Sequence, residues 1–209
     1  MWRNLTVVLA AAFVLVGLPA CGSSKPEPVL VEVTTDLGRF VVDVYVAAAP
    51  ESSKSFLEFV DGNLYEGATF YRTVTRDNDN GSPVIEVIQG GLADDAETPA
   101  PVRHETTEQT GILHKDGVIS LARAEPGTGS GAAFFICIGD QPGLDFGAPR
   151  NPDMQGFAAF GKVIEGMDVV RAIHAREANA PTDSPYLAGQ ILTEPVVIQS
   201  ARRVSDDHS

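Results

Sequence analysis

Cysteine is nearly missing from these 209 residues: Cys21 and Cys137 are the whole supply. Two thiols cannot build a disulfide framework or a cysteine-rich metal knuckle. Cys137 stands inside the apolar run Phe134 to Ile138 and reads as a small buried hydrophobe, since a reactive thiol needs an electropositive, exposed setting. Basic residues are scarce as well. Fifteen Lys and Arg face 28 Asp and Glu, for a formal charge of −13, which leaves nucleic acid out of the expected partners and sets anionic lipid headgroups against the protein. His104, His114, His174 and His208 have no ligand spacing among themselves or with the cysteines, so no metal and no cofactor is expected. Heptads, helical repeats and apolar runs of the roughly 20 residues that a membrane span needs are all missing.

The longest apolar stretch lies at the start. Arg3 precedes the run Leu5 to Val16, and Leu18-Pro19-Ala20 leads into Cys21, a pattern that predicts a secretion signal over residues 1–20. Removing it takes away one arginine and no acid, so the mature chain is more acidic still. The Leu-x-Ala-Cys ending resembles a bacterial lipobox. That resemblance implies a diacylglycerol thioether on Cys21 and a lipid anchor in the cell envelope, because acyl chains hold a protein to a membrane where a basic face is lacking. Residues 21–28, small, polar and proline-rich, read as the lipidated cysteine and a tether. A single domain is expected over 29–204 and a polar tail over 205–209.

Within 29–204 the patterning is dominated by short β-rich runs. Val29–Thr34 and Arg39–Val44 flank a turn and predict a hairpin. Further strands are expected at 69–74, 85–89, 118–122, 132–138, 158–163 and 195–204. Helical stripes occur twice: Phe56, Phe59 and Val60 behind Pro50, and Met167, Val170 and Ile173 behind Gly166. Many short strands with two helices argue for a closed barrel or a sandwich.

Three segments carry candidate chemistry. Alternation along Phe70-Tyr71-Arg72 puts Phe70 and Arg72 on one face, a guanidinium beside a phenyl ring. Gln89, ahead of Gly90-Gly91, stands ready to hold that guanidinium, and Phe134 and Phe135 must face opposite ways. With Ser120-Leu121-Ala122, Phe134-Phe135-Ile136 and the run Phe160 to Val170, these segments resemble, in order, the signatures of the cyclophilin family of peptidyl-prolyl isomerases, over roughly Val29 to Val204. The resemblance implies a mainly β fold, a closed eight-stranded antiparallel barrel capped by two α-helices, with a peptide groove on its outer wall. It implies Arg72 as the catalytic residue and Gln89 as the group orienting it and touching substrate. Phe70, Val87, Phe135, Leu144 and Phe157 would grip the substrate's proline region, while Ala122 and Arg123 would pair with its backbone. The expected partners are Pro-containing polypeptides, met by a monomer.

The chain departs from that family at Glu86, where a phenylalanine is usual, at Ala133, where a glutamine is usual, and at Gly143, where some members carry tryptophan. A non-catalytic module that uses the same groove to hold prolines is therefore the alternative to an isomerase. Other motifs fail on chemistry. Gly156 to Lys162 lacks the hydroxyl residue of a phosphate loop, because Val163 follows. Gly127 to Ala132 opens a strand and no helix, so it cannot cradle a pyrophosphate. Asp77 to Gly81 has its glycine one residue too early for a calcium loop and reads as a polar turn.

Overall fold

The computed structural model describes residues 28–92 and 100–204. The signal, Cys21 and nearly all of the tether, together with the tail 205–209, lie outside these residues.

Eight strands make up the described sheet. They are β1 (Val29–Thr35), β2 (Gly38–Val44), β3 (Thr69–Val74), β4 (Val87–Gly91), β5 (Val118–Leu121), β6 (Ala133–Cys137), β7 (Ala158–Glu165) and β8 (Ile191–Arg203). β1 alternates in burial as a half-solvated strand does, whereas β4, β5 and β6 are buried on both faces, against the core on one side and covered on the other. Every pairing is antiparallel, and the order β1-β2-β7-β5-β6-β4-β3-β8 closes on itself because β8 also pairs with β1. Closure leaves no strand edge. The interior is filled with rings: Phe40, Phe56, Phe59, Tyr65, Phe70, Phe134 and Phe160 are all essentially inaccessible. Phe134 meets Phe56, Tyr65 and Phe70 edge-on with centroids 5.5–5.8 Å apart. The barrel is a packed core, and its outer wall is where a ligand can lie.

Among the described residues three α-helices accompany the barrel, one more than the two predicted. α1 (Pro50–Asp61) starts with proline, whose missing N–H costs nothing there, but Ala49 offers no cap. The cap comes from afar: the buried Glu105 carboxylate accepts the backbone N–H of Glu51 and Ser52 and the Ser52 hydroxyl at 2.7–3.2 Å. The additional helix, α2 (Thr107–Thr110), is one turn long and rests on a capping box between Thr106 and Gln109, with Gly111 left-handed behind it. Four residues are too few to show a period, which is why this stretch reads as a polar connection. α3 (Met167–His174) buries Val170 and Ile173 against the barrel.

β8 begins four residues earlier than the sequence suggests. Pro195 interrupts its pattern, and the structure absorbs the interruption in a bulge: Phe70 pairs with Val196 while Arg72 pairs with Ile191. That displacement brings Gln190, just ahead of β8, beside Arg72.

Candidate active site

The outer faces of β3, β4 and β6, with the segment that follows β5, form the floor of a pocket of about 220 Å³. Phe135 and Cys137 of β6 and Val87 of β4 point outward and join Val74, Ile85 and Leu144 in a second, smaller apolar cluster, with Ala122 and Phe157 packed at its side. Phe135 and Phe157 meet at right angles, 5.2 Å between centroids. Burial pushes the Cys137 thiol well up, so it stays a neutral packing group.

Phe70 is not part of this site. Strict alternation would place it beside Arg72, but Phe70 pairs with Gly90 and Arg72 with Gln89, so a two-residue step on β3 faces a one-residue step on β4. Tyr71 is the extra residue of a β-bulge, and the bulge turns Phe70 into the barrel while Arg72 faces out. Gly90 has to be glycine for the same reason: a Cβ there would sit 2.7 Å from the Phe70 ring.

Arg72 is held from two sides by neutral amides. Its Nη1 donates to Gln89 Oε1 at 2.8 Å, while Nε and Nη2 both donate to Gln190 Oε1 at 2.9 and 2.6 Å. Each amide is itself anchored, Gln89 Nε2 donating to the Tyr71 hydroxyl and Gln190 Nε2 to the Asn78 carbonyl. The Tyr186 ring lies 5.4 Å from the guanidinium carbon. Among the described residues no carboxylate pairs with Arg72, so its charge faces the pocket uncompensated. Sequence reasoning missed Gln190 and Tyr186, which lie more than a hundred residues along the chain, in a segment whose only local signal is the Gly189 turn.

The pocket is lined by Arg72, Val87, Gln89, Ala122, Arg123, Phe135, Leu144 and Phe157, all named from the sequence, and also by Ile85, Arg150, Asn151 and Tyr186. Ala122 and Arg123 follow β5, which ends at Leu121. The Arg123 side chain is already committed. It makes a two-pronged ion pair with Asp153 at 2.8–2.9 Å, donates to the Gly156 carbonyl, and lies 5.1 Å over the Phe157 ring. It braces the wall that carries Phe157. Glu86, where the family has phenylalanine, turns to Arg76 in a rim ion pair at 2.8 Å, and Ile85 supplies the apolar surface instead. Gly143 abuts Pro83, and a Cβ there would fall 2.6 Å from the proline ring, so a larger residue does not fit.

Behind Phe135 lies a buried polar chain. The His114 ring stacks on Phe135 at 5.9 Å and 17°, with Nδ1 2.8 Å from Asp145 Oδ1 and Nε2 3.2 Å from Ser120 Oγ. Burial raises the Asp145 carboxyl, but hydrogen bonds from the His114 ring and backbone outweigh it and hold the group below the ordinary range. Serine, histidine and aspartate in this order resemble a hydrolytic triad, yet Ser120 is sealed beneath Phe135 and reaches no substrate. The chain instead fixes the ring that floors the pocket. Among the described residues no cluster of His, Cys, Asp or Glu is placed to hold a metal.

The profile of the family described as "Cyclophilin type peptidyl-prolyl cis-trans isomerase/CLD" matches residues 30–203. A peptidyl-prolyl cis-trans isomerase of Acinetobacter baylyi is 32% identical over 83% of this chain and 84% of its own. Peptidyl-prolyl cis-trans isomerase A of Dickeya dadantii is 31% identical over 93% and 96%. Among solved structures, a cyclophilin-type isomerase of Cryptosporidium parvum crystallised in the presence of the dipeptide Ala-Pro shares the fold, with a TM-score of 0.61 at 20% identity over 85% of this chain and 99% of that one.

Proposed function

The chain belongs to the cyclophilin-type peptidyl-prolyl cis-trans isomerases, and from that premise we propose that Arg72 is the catalytic residue and that the proline ring sits among Val87, Phe135, Leu144 and Phe157. The reaction is rotation about an X-Pro amide, whose barrier of roughly 18–20 kcal/mol comes from lost resonance, so no covalent step is required. A catalyst must bind the twisted imide better than either planar form. The observation that carries the assignment is the cation over an apolar seat. Three of the five guanidinium N–H groups of Arg72 are taken by Gln89 and Gln190. Two remain, one on each terminal nitrogen, to donate to the substrate carbonyl oxygen and to meet the prolyl nitrogen as its lone pair localises. Gln89 orients the guanidinium, and the backbone at Ala122 and Arg123 lies where a substrate strand would run. The substrates on this reading are Pro-containing segments of exported polypeptides.

Removing one preorganised donor costs about 3–4 kcal/mol, so Arg72→Ala should slow prolyl isomerisation on the order of a hundredfold to a thousandfold while the fold persists. Exchange NMR on X-Pro peptides measures this directly. A folded variant as fast as the parent would remove Arg72 from the mechanism.

Export and anchoring complete the proposal: residues 1–20 direct secretion, and Cys21 carries lipid that holds a monomeric enzyme at the cell envelope. The sequence around Cys21 and the acidity of the chain support this, because such a surface needs acyl chains to stay at a membrane. Cys21→Ala should then move the protein from the membrane fraction to the soluble one and abolish labelling by radioactive palmitate. Unchanged fractionation would overturn the anchor.

A further inference from the structure

A second hollow adjoins the proline pocket. It is an open cleft of about 510 Å³, and Arg72 and Gln89 line both spaces, so these two side chains form a ridge with a depression on either side. The walls of the cleft are mainly apolar, supplied by Leu92, Pro181, Leu187 and Ile191. Tyr71 lines it as well, because the β3 bulge leaves Tyr71 and Arg72 together on the outer side, and its hydroxyl accepts Gln89 Nε2 at 2.9 Å. Among the described residues lining the cleft, Arg72 is the one charged group.

These walls stand before a ligand arrives. Pro181 and Leu187 belong to the connection between α3 and β8, which is tied down along its length. The Ala180 N–H donates to the Ile191 carbonyl at 3.1 Å, Asn80 Nδ2 to the carbonyls of Tyr186 and Ala188 at 3.1 and 3.0 Å, and Asn78 Nδ2 to the Gly189 carbonyl at 2.9 Å. Arg150, itself paired with Asp79, donates to the Tyr186 hydroxyl at 2.8 Å. All of these ties spare the Leu187 side chain. One anchored segment thus gives Tyr186 to the proline pocket, Gln190 to the arginine and Leu187 to the cleft. A recess already in place demands little ordering when it is filled.

We propose that this cleft is a second substrate subsite, which takes a large apolar side chain, phenylalanine or leucine, two or three residues from the proline. The barrel order β5-β6-β4-β3-β8 sets the path. A peptide that pairs with the backbone at Ala122 and Arg123, beyond β5, and seats its proline over β6 and β4 passes Arg72 on β3 and arrives at Ile191 on β8. An extended chain advances about 3.3 Å per residue and turns alternate side chains to one face, so the ridge is crossed within two or three residues. The apolar residue therefore lies on one side of the proline only, the side that does not pair with Ala122 and Arg123. This inference rests on the seating of proline among Val87, Phe135, Leu144 and Phe157.

The test is NMR titration of the full chain with matched peptides that carry phenylalanine, glutamate or alanine two or three residues before or after a single proline. Phenylalanine on one side should bind about tenfold tighter than alanine, a gap that burial of much of a large apolar side chain provides, and should shift the methyl signals of Leu187 and Ile191. Glutamate should gain nothing. Leu187→Ala should lower the phenylalanine-to-alanine ratio about threefold, and Leu187→Trp, which fills the cleft, should abolish the preference. The ratio is internal to each variant, so a general loss of affinity leaves it untouched. Equal affinities in the parent chain, tightest binding of glutamate, the same preference on both sides of proline, or a ratio unchanged in both variants would overturn the proposal. Isomerisation of the alanine peptide, followed in parallel, separates the two readings. A chain that accelerates its exchange without preferring phenylalanine loses the subsite and keeps its catalytic arginine, whereas one that prefers phenylalanine without accelerating exchange keeps the subsite and loses the other.

Discussion

A guanidinium can be fixed by a carboxylate or by an amide, and the choice decides what charge is left for a ligand. A carboxylate would hold Arg72 at least as firmly but spend its charge, as Asp79 does for Arg150. Gln89 and Gln190 hold it and leave it cationic. Gln190 is fully buried and accepts two of the three bonds, so it is a positioning residue whose loss should be felt in turnover before binding. Gln190→Leu, which keeps the volume and removes the acceptor, leaves two charged donors unpartnered and lets the side chain swing. Hydrogen bonds to charged groups contribute about 1.5–3 kcal/mol, so kcat should fall roughly tenfold to a hundredfold while peptide affinity changes less. Stopped-flow protease-coupled kinetics beside an NMR titration would separate the two quantities. A fall in affinity as large as the fall in kcat would make Gln190 a structural residue only.

At the level of elements, what the sequence discloses is whatever is written locally. Alternation in Val29–Val44 and the short apolar runs Phe134–Cys137 and Ala158–Val163 mark strands because side chains turned to the core must be apolar, and the stripe Phe56, Phe59, Val60 marks α1 for the same reason. The closed topology is not local and entered with the family resemblance. The bulge at Tyr71 is invisible in Phe-Tyr-Arg, since it is decided by how β3 registers with two neighbours; its one trace is Gly90, the position the Phe70 ring empties of side chain. Arg72, Val87, Gln89, Phe135, Leu144 and Phe157 were legible because their motifs carry them. Gln190, Tyr186, Arg150 and Asn151 were not, because nothing near them in the chain says that β8 starts early or that the segment after Leu144 folds back over the pocket. Glu105 is a similar case: a glutamate in a connection reads as solvated surface until the uncapped end of α1 arrives beside it.

The molecule as a whole is tied together by carboxylates that must stay ionised. Burial raises the Asp79 carboxyl, but the Arg150 hydrogen bonds and the backbone N–H groups of Ile85 and Gly81 pull it further the other way, to a value below the ordinary 3.8. Asp145 is lowered through His114, and Asp153 through its hydrogen bonds to Arg123. Each sits in the polar framework around the pocket. A carboxyl whose folded value lies below its unfolded one binds fewer protons folded than unfolded, so its stabilisation is complete above the unfolded value and drains away as pH falls through the folded one. Stability should therefore decline steadily below about pH 4, after a shallower loss as pH falls through the ordinary histidine range, because burial holds the His104 imidazole below its usual value. Asp43, raised by burial, works weakly in the opposite sense and does not reverse three lowered groups. Urea unfolding at a series of pH values checks the slope, and Asp79→Asn identifies its main source. Leaving Arg150 buried without its partner should cost about 3–5 kcal/mol at pH 7, and the variant should lose less stability than the parent between pH 5 and pH 3, because one of the titrating groups is gone. Parallel pH profiles for the two proteins would show that Asp79 is not what acid attacks.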